Sequence, residues 1–162
     1  MADEGPGPGD SGKASGLAPG QIEVAHTHPG LHLPAARVEE LARQVLKAEG
    51  AQPLYIGIVL SRRDHIHDMN KRFLSHDYPT DVLSFPISEA LNALEGEVYI
   101  DLDMAADRAP EFHTTFQKEA VRYVIHGLLH LVGHDDDAPD GRAAMRDLEN
   151  RYLTTFWDRN TG

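Results

Sequence analysis

The chain has no cysteine at any of its 162 positions. Disulfides and thiolate metal ligands are therefore both excluded, and a reducing compartment is compatible with the sequence. No apolar run reaches the length of a membrane span, and the N-terminus lacks the apolar core of a signal peptide. A soluble, cytoplasmic protein with no membrane partner is expected. Positive charge is also short: 15 lysines and arginines face 26 acidic residues, for a net charge of −11. Such a surface repels polyanions at long range. Any nucleic-acid binding must then come from a local cationic patch together with a metal cation.

What is present suffices for one domain, because 41% of the residues are apolar. Residues 1–20 are mostly Gly, Pro, Ser, Ala and Asp and are expected to be a disordered tail, with residues 21–162 forming a single domain. Gln21 to Ala25 reads as a short strand. Val38, Leu41, Ala42, Val45 and Leu46 mark an amphipathic helix from Pro34 to Glu49, stopped by Gly50. Leu54 to Leu60 is an unbroken apolar run, as expected of a central strand. Ser61 and Asp64 resemble a capping box that opens a helix reaching about Phe73. Asp77 to Asp81 is turn chemistry before a strand, Val82 to Phe85, closed by Pro86. Ser88 to Glu95 reads as a loop, Val98 to Leu102 as a strand and Met104 to Arg108 as a short helix. A helix from Thr115 and a last one from Asp137 and Pro139 complete the chain. The expected fold is an α/β (α+β) sandwich of about four strands packed by helices.

Chemistry concentrates between His126 and Asp137. His126 and His130 are four apart, so a helix projects both from one face and two imidazoles can share one cation. Gly133 is placed to end that helix, after which Asp136 can fold back as a third ligand. His134 is the alternative third ligand, but on a continuing helix it would lie about 12 Å from His126. Three protein ligands with one open position describe a catalytic rather than a structural zinc. With ten histidines in the chain, a chance pair on a wet helix face is the bland alternative. Against it, Phe116, Ala120, Val121, Val124, Ile125, Leu128, Leu129, Leu131 and Val132 make the helix mostly apolar. Its polar line is Glu119, Arg122, His126 and His130. The spacing is also that of a large metalloprotease class, but the glutamate those enzymes use as general base is Gly127 here. Metal-assisted hydrolysis with another proton acceptor remains.

Three motifs occur together: His126 to Gly133, Pro79-Thr80-Asp81-Val82-Leu83-Ser84-Phe85-Pro86, and Gly96-Glu97-Val98-Tyr99-Ile100. In these the chain resembles the YbeY family, bacterial and organellar metal-dependent endoribonucleases linked to rRNA maturation and ribosome quality control. The resemblance covers about residues 21–155. It implies a single α/β domain, a zinc ion, single-stranded RNA as substrate, and the small ribosomal subunit as partner, with no DNA. Two positions depart from the family pattern. The third zinc ligand, usually histidine, corresponds to Asp136, and a carboxylate also admits Mn or Fe. The family's functional arginine corresponds to Leu74, leaving Arg72 or Lys71 to contact the phosphates. Residues 62–76 hold four cations against two carboxylates, a stretch whose bland reading is a solvated helix face. An endoribonuclease is the expected function. The other readings are a ribosome assembly factor with a mainly structural metal and a metalloprotease.

Overall fold

Along one strand, Leu94, Gly96, Val98 and Ile100 are buried while Glu95, Glu97 and Tyr99 are only half-buried. That period-2 pattern marks a sheet with one face on the core. The structure is a computed structural model that describes residues 20–76 and 80–159. Its sheet holds β1 (Gln21–His26), β2 (Pro53–Ser61), β3 (Val82–Ser88) and β4 (Leu94–Asp101) in the order β1-β2-β4-β3. β1, β2 and β4 are parallel, and β3 runs antiparallel to β4 at the edge. The helices are α1 (Ala35–Ala48), α2 (Arg63–Leu74), α3 (Leu102–Arg108), α4 (Phe116–Leu131) and α5 (Pro139–Tyr152). This is the α+β architecture expected. Among the described residues no helix is long and apolar enough to cross a membrane.

Helix α4 is the centre of the core. Ala120, Val121, Val124, Ile125, Leu128 and Leu129 are fully buried, and the helix packs against β3, β4, α1, α3 and α5. Its N-terminus is fixed by Thr115, whose hydroxyl accepts from the Lys118 amide at 3.2 Å. On the opposite sheet face α2 covers a strip through edge contacts of His65 with Tyr99 and Phe73 with Phe85.

Three local expectations need correction. Ser61 does not cap α2. It is the last residue of β2, its hydroxyl lies 2.8 Å from His65 Nδ1, and the N-cap residue is Arg62 without a side-chain bond. Pro86 does not close β3, which runs on to Ser88, because an edge strand tolerates the missing amide. The segment read as a loop from Ser88 to Glu95 holds a 3₁₀ turn, Leu91–Ala93, and the start of β4. The expected tail lies outside the described residues except for Gly20, whose amide donates to the Pro53 carbonyl. Asp77 to Pro79 of the expected turn before β3 lie outside them too.

Candidate functional site

The polar line of α4 emerges where β3, α5 and the chain after α4 meet. Gly133 ends the helix with φ +106°, a conformation that a residue with a side chain adopts only under strain. The His134 amide donates to the Leu129 carbonyl and the Gly133 amide to that of His130, each at 3.0 Å. These are the two bonds of a Schellman cap. The cap turns the chain so that Asp136 comes back over the histidines. Arg142 holds it there from α5, donating to the carbonyls of Asp136 at 3.5 Å and Asp137 at 3.2 Å.

The result is a compact set of donor atoms. His126 Nε2 and His130 Nε2 are 3.1 Å apart, and they lie 3.3 and 3.4 Å from the two oxygens of Asp136. Metal bonds of 2.0–2.2 Å at tetrahedral angles require donors about 3.3–3.6 Å apart. The two histidine–carboxylate spacings fall in that range and the two imidazole nitrogens stand slightly closer, so a small opening of the pair admits a single ion of that size. His134 points elsewhere: its Nε2 is 2.6 Å from Glu49 Oε1, and Tyr152 donates to the other Glu49 oxygen.

Glu149 sets the chemistry of the set. Its carboxylate is 2.7 Å from His126 Nδ1, and its side chain is only 6% exposed. A carboxylate there favours the proton on Nδ1, which leaves a lone pair on Nε2. Burial works against the His126 cation, but the Glu149 hydrogen bond and charge, with the charges of Asp81 and Asp136, outweigh it. The imidazole pKa is consequently raised, so a proton competes with any cation as the pH falls.

Two cavities flank the set, and His126, Asp136 and Asp81 line both. The one on the β3 side, about 450 Å³, is also bordered by Leu74, Thr80 and His130. The other, about 190 Å³, lies toward α3 and α5. A larger hollow of about 550 Å³ runs along Gly50 to Leu54 and has no candidate ligand in its lining. Lys71 and Arg72 border neither flanking cavity; Arg72 is exposed and pairs with Asp68 at 3.3 Å. Leu74 does border one, at the position where the resemblance places an arginine. Sequence reasoning missed Glu149 and Asp81. Glu149 carries no signal beyond its place beside the apolar stripe of α5, and Asp81 reads as a turn residue.

Comparison with known proteins points one way. The family model described as Endoribonuclease YbeY matches residues 23–157. The chain is 43% identical to Endoribonuclease YbeY of Salinibacter ruber over 143 residues, covering 83% of this chain and 91% of that one. It is 40% identical to Endoribonuclease YbeY of Chlorobium phaeovibrioides over 121 residues, covering 75% and 81%. The solution structure of TM1509 from Thermotoga maritima is similar with a TM-score of 0.59 at 26% identity, covering 85% of this chain and 90% of that one.

Proposed function

Because the chain belongs to the YbeY endoribonuclease family, we propose that it is a metal-dependent nuclease that cuts single-stranded RNA. His126, His130 and Asp136 are its metal ligands. The observation that carries this reading is the spacing of 3.1–3.4 Å among the three donors, at the junction of two cavities. When bound, the ion supplies Lewis acidity to a phosphoryl oxygen and acidifies a water. Zinc is the first choice, and the carboxylate ligand makes Mn or Fe more suitable here than at a three-histidine site.

The chain's own groups do the rest. Glu149 orients His126 and keeps its Nε2 lone pair available. Asp81, which borders both cavities, takes the role left empty by Gly127: it accepts a proton from the water that attacks phosphorus, and the P–O bond to the leaving ribose oxygen breaks as that oxygen takes up a proton from solvent. The Asp101 amide holds the Asp81 carbonyl at 2.9 Å and so fixes the backbone from which that carboxylate projects. Lys71 and Arg72, on the last turn of α2 just before Leu74, guide RNA toward the β3-side cavity. The substrate is rRNA of the small ribosomal subunit, cut during maturation and quality control in the cytoplasm. The single domain of residues 21–162 carries the whole activity.

An assembly factor with a structural ion is the second reading. The exposure of the ligands argues against it, since the His126 and His130 side chains are 22% and 31% exposed and structural ions are usually closed off. The deciding experiment incubates purified protein with labelled single-stranded and duplex RNA, with and without a chelator, beside metal analysis. Cleavage of the single strand that stops with chelator and returns with added metal is expected. Ribosome binding without any cleavage would sink the nuclease reading.

Glu149→Gln is expected to weaken divalent-metal affinity by about 10- to 100-fold, because the amide no longer fixes the imidazole tautomer. Competitive metal titration measures this, and an unchanged affinity would remove Glu149 from the site. For Lys71 and Arg72, joint replacement by alanine should weaken RNA binding with metal retained. The slope of log affinity against log salt should fall by about 1.4, from about 0.7 per lost phosphate contact. An unchanged slope would mean that this patch is a solvated helix face.

A further inference from the structure

The smaller cavity differs from its neighbour in charge. Four arginines border it: Arg108 at the end of α3, Arg122 on α4, and Arg142 and Arg146 on α5. Two of these are committed to the site. Arg142 reaches the carbonyls beside Asp136, and Arg122 donates to Asn150 at 2.9 Å and lies 3.3 Å from Glu149. The other two are available. Arg146 is 67% exposed, with a distant contact to Glu149 at 3.9 Å, and Arg108 makes no ion pair among the described residues.

The acidic residues of the same lining do not cancel these two. Glu119 and Glu149 are buried, Glu149 is bonded to His126, Asp136 faces the histidines, and Asp81 is half-buried with its charge acting on His126. The outer rim is therefore cationic on a protein whose net charge is −11.

An aromatic ring stands at the same rim. Phe112, in the 3₁₀ turn Pro110–Phe112, is 59% exposed and borders both this cavity and an adjoining hollow of about 220 Å³ shared with Arg122 and Arg146. A lone exposed phenylalanine is ordinary on a protein surface, so it is the placement of this ring beside the two arginines that marks the rim. Deeper in, Tyr123 also borders the cavity, with its buried hydroxyl beside the Glu119 carboxylate. An exposed aromatic ring beside free guanidinium groups is the chemistry that grips single-stranded nucleic acid, by stacking on a base and by phosphate contacts.

We propose that the α3–α5 side of the cleft binds the RNA segment flanking the scissile phosphodiester, with Arg108 and Arg146 on backbone phosphates and Phe112 stacked on a base. The inference rests on the ribonuclease reading and adds the surface that holds the strand. Continuity supports it, because His126 and Asp136 border this cavity as well as the β3-side one, so a strand crossing the donor set enters both.

The test uses the full chain loaded with zinc, a fluorescent single-stranded RNA oligonucleotide, and anisotropy titrations across a salt series. Arg108→Ala with Arg146→Ala should lower the salt slope by about 1.4, with bound metal and melting temperature unchanged. Phe112→Ala should weaken binding by about 5- to 150-fold at constant slope, and Phe112→Trp should restore it. Arg43→Ala with Lys47→Ala removes equal charge from residues that border neither flanking cavity and should leave the slope as in the wild type. A slope for the Arg108/Arg146 variant equal to that control's overturns the phosphate assignment. Wild-type affinity in Phe112→Ala overturns the stacking assignment. If the unaltered chain binds and cuts RNA and both variants match it, this inference alone fails. If the unaltered chain binds no RNA, the ribonuclease reading fails with it.

Discussion

Replacing His126 or His130 with alanine should empty the metal site, whereas His134→Ala should leave it filled. The two Nε2 atoms of His126 and His130 lie 3.1 Å apart and share the Asp136 carboxylate. Removing either leaves two ligands and a cavity that water can enter. The affinity lost should exceed the roughly 100-fold that marks the loss of an outer-shell partner. His134 instead faces Glu49 at 2.6 Å, in a cluster completed by Tyr152. Its loss should cost about 1 kcal/mol of stability, the scale of one partly exposed hydrogen bond, and little metal. Metal per chain after dialysis, read by mass spectrometry, separates the cases, with melting curves beside it. If His134→Ala empties the site and Asp136→Ala does not, the ligand assignment is wrong and the turn after Gly133 adopts another form with metal bound.

The convergence of His126, His130 and Asp136 was legible because its parts are local. A four-residue spacing, a glycine that ends the helix and a carboxylate three residues on depend on helix geometry and little else. Glu149 was not legible: it follows His126 by 23 residues and reaches it only because α5 packs across α4. No periodicity separates such a buried carboxylate from the solvated ones around it. Pro86 failed as a strand end for a similar reason, since edge position belongs to the sheet and not to the segment. Around α2 the difficulty is phase. Arg72 precedes Leu74 by two residues, about 200° around the helix, so the side that meets the cavity is Leu74's. The amphipathic helices and the buried strands needed no such context, and they emerged within a few residues of their expected bounds.

Gly127 links fold and chemistry most tightly, and its replacement is expected to have the largest effect on stability. The sequence gives it only a negative meaning, the absence of a protease's glutamate. The structure supplies the positive one. Helix α4 lies so close to the sheet that a Cβ at position 127 would sit 2.3 Å from Val98 Cγ1, 3.1 Å from Val82 Cγ2 and 3.3 Å from Ser84 Oγ. Ser84 also donates to the Gly127 carbonyl at 3.1 Å, which holds the helix on β3. Val98 is fully buried and cannot swing aside, so α4 itself has to move, and His126 and His130 with it. Overpacking of this kind costs about 1–3 kcal/mol, and a contact this short belongs at the upper end. Gly127→Ala should therefore lower the melting temperature by about 6–12 °C, at about 2–4 °C per kcal/mol for a domain of this size. It should also weaken metal binding, because the imidazoles ride on the same turn. Gly127→Glu adds an unpaired carboxylate against the apolar face of β4 and should not yield folded protein. Position 127 meets the sheet rather than the cavities, so a glutamate there has no route to the donor set. A Gly127→Ala protein that melts with the wild type would show that α4 can lift from β4 at little cost. A folded Gly127→Glu protein that cleaved peptides would reinstate the protease reading.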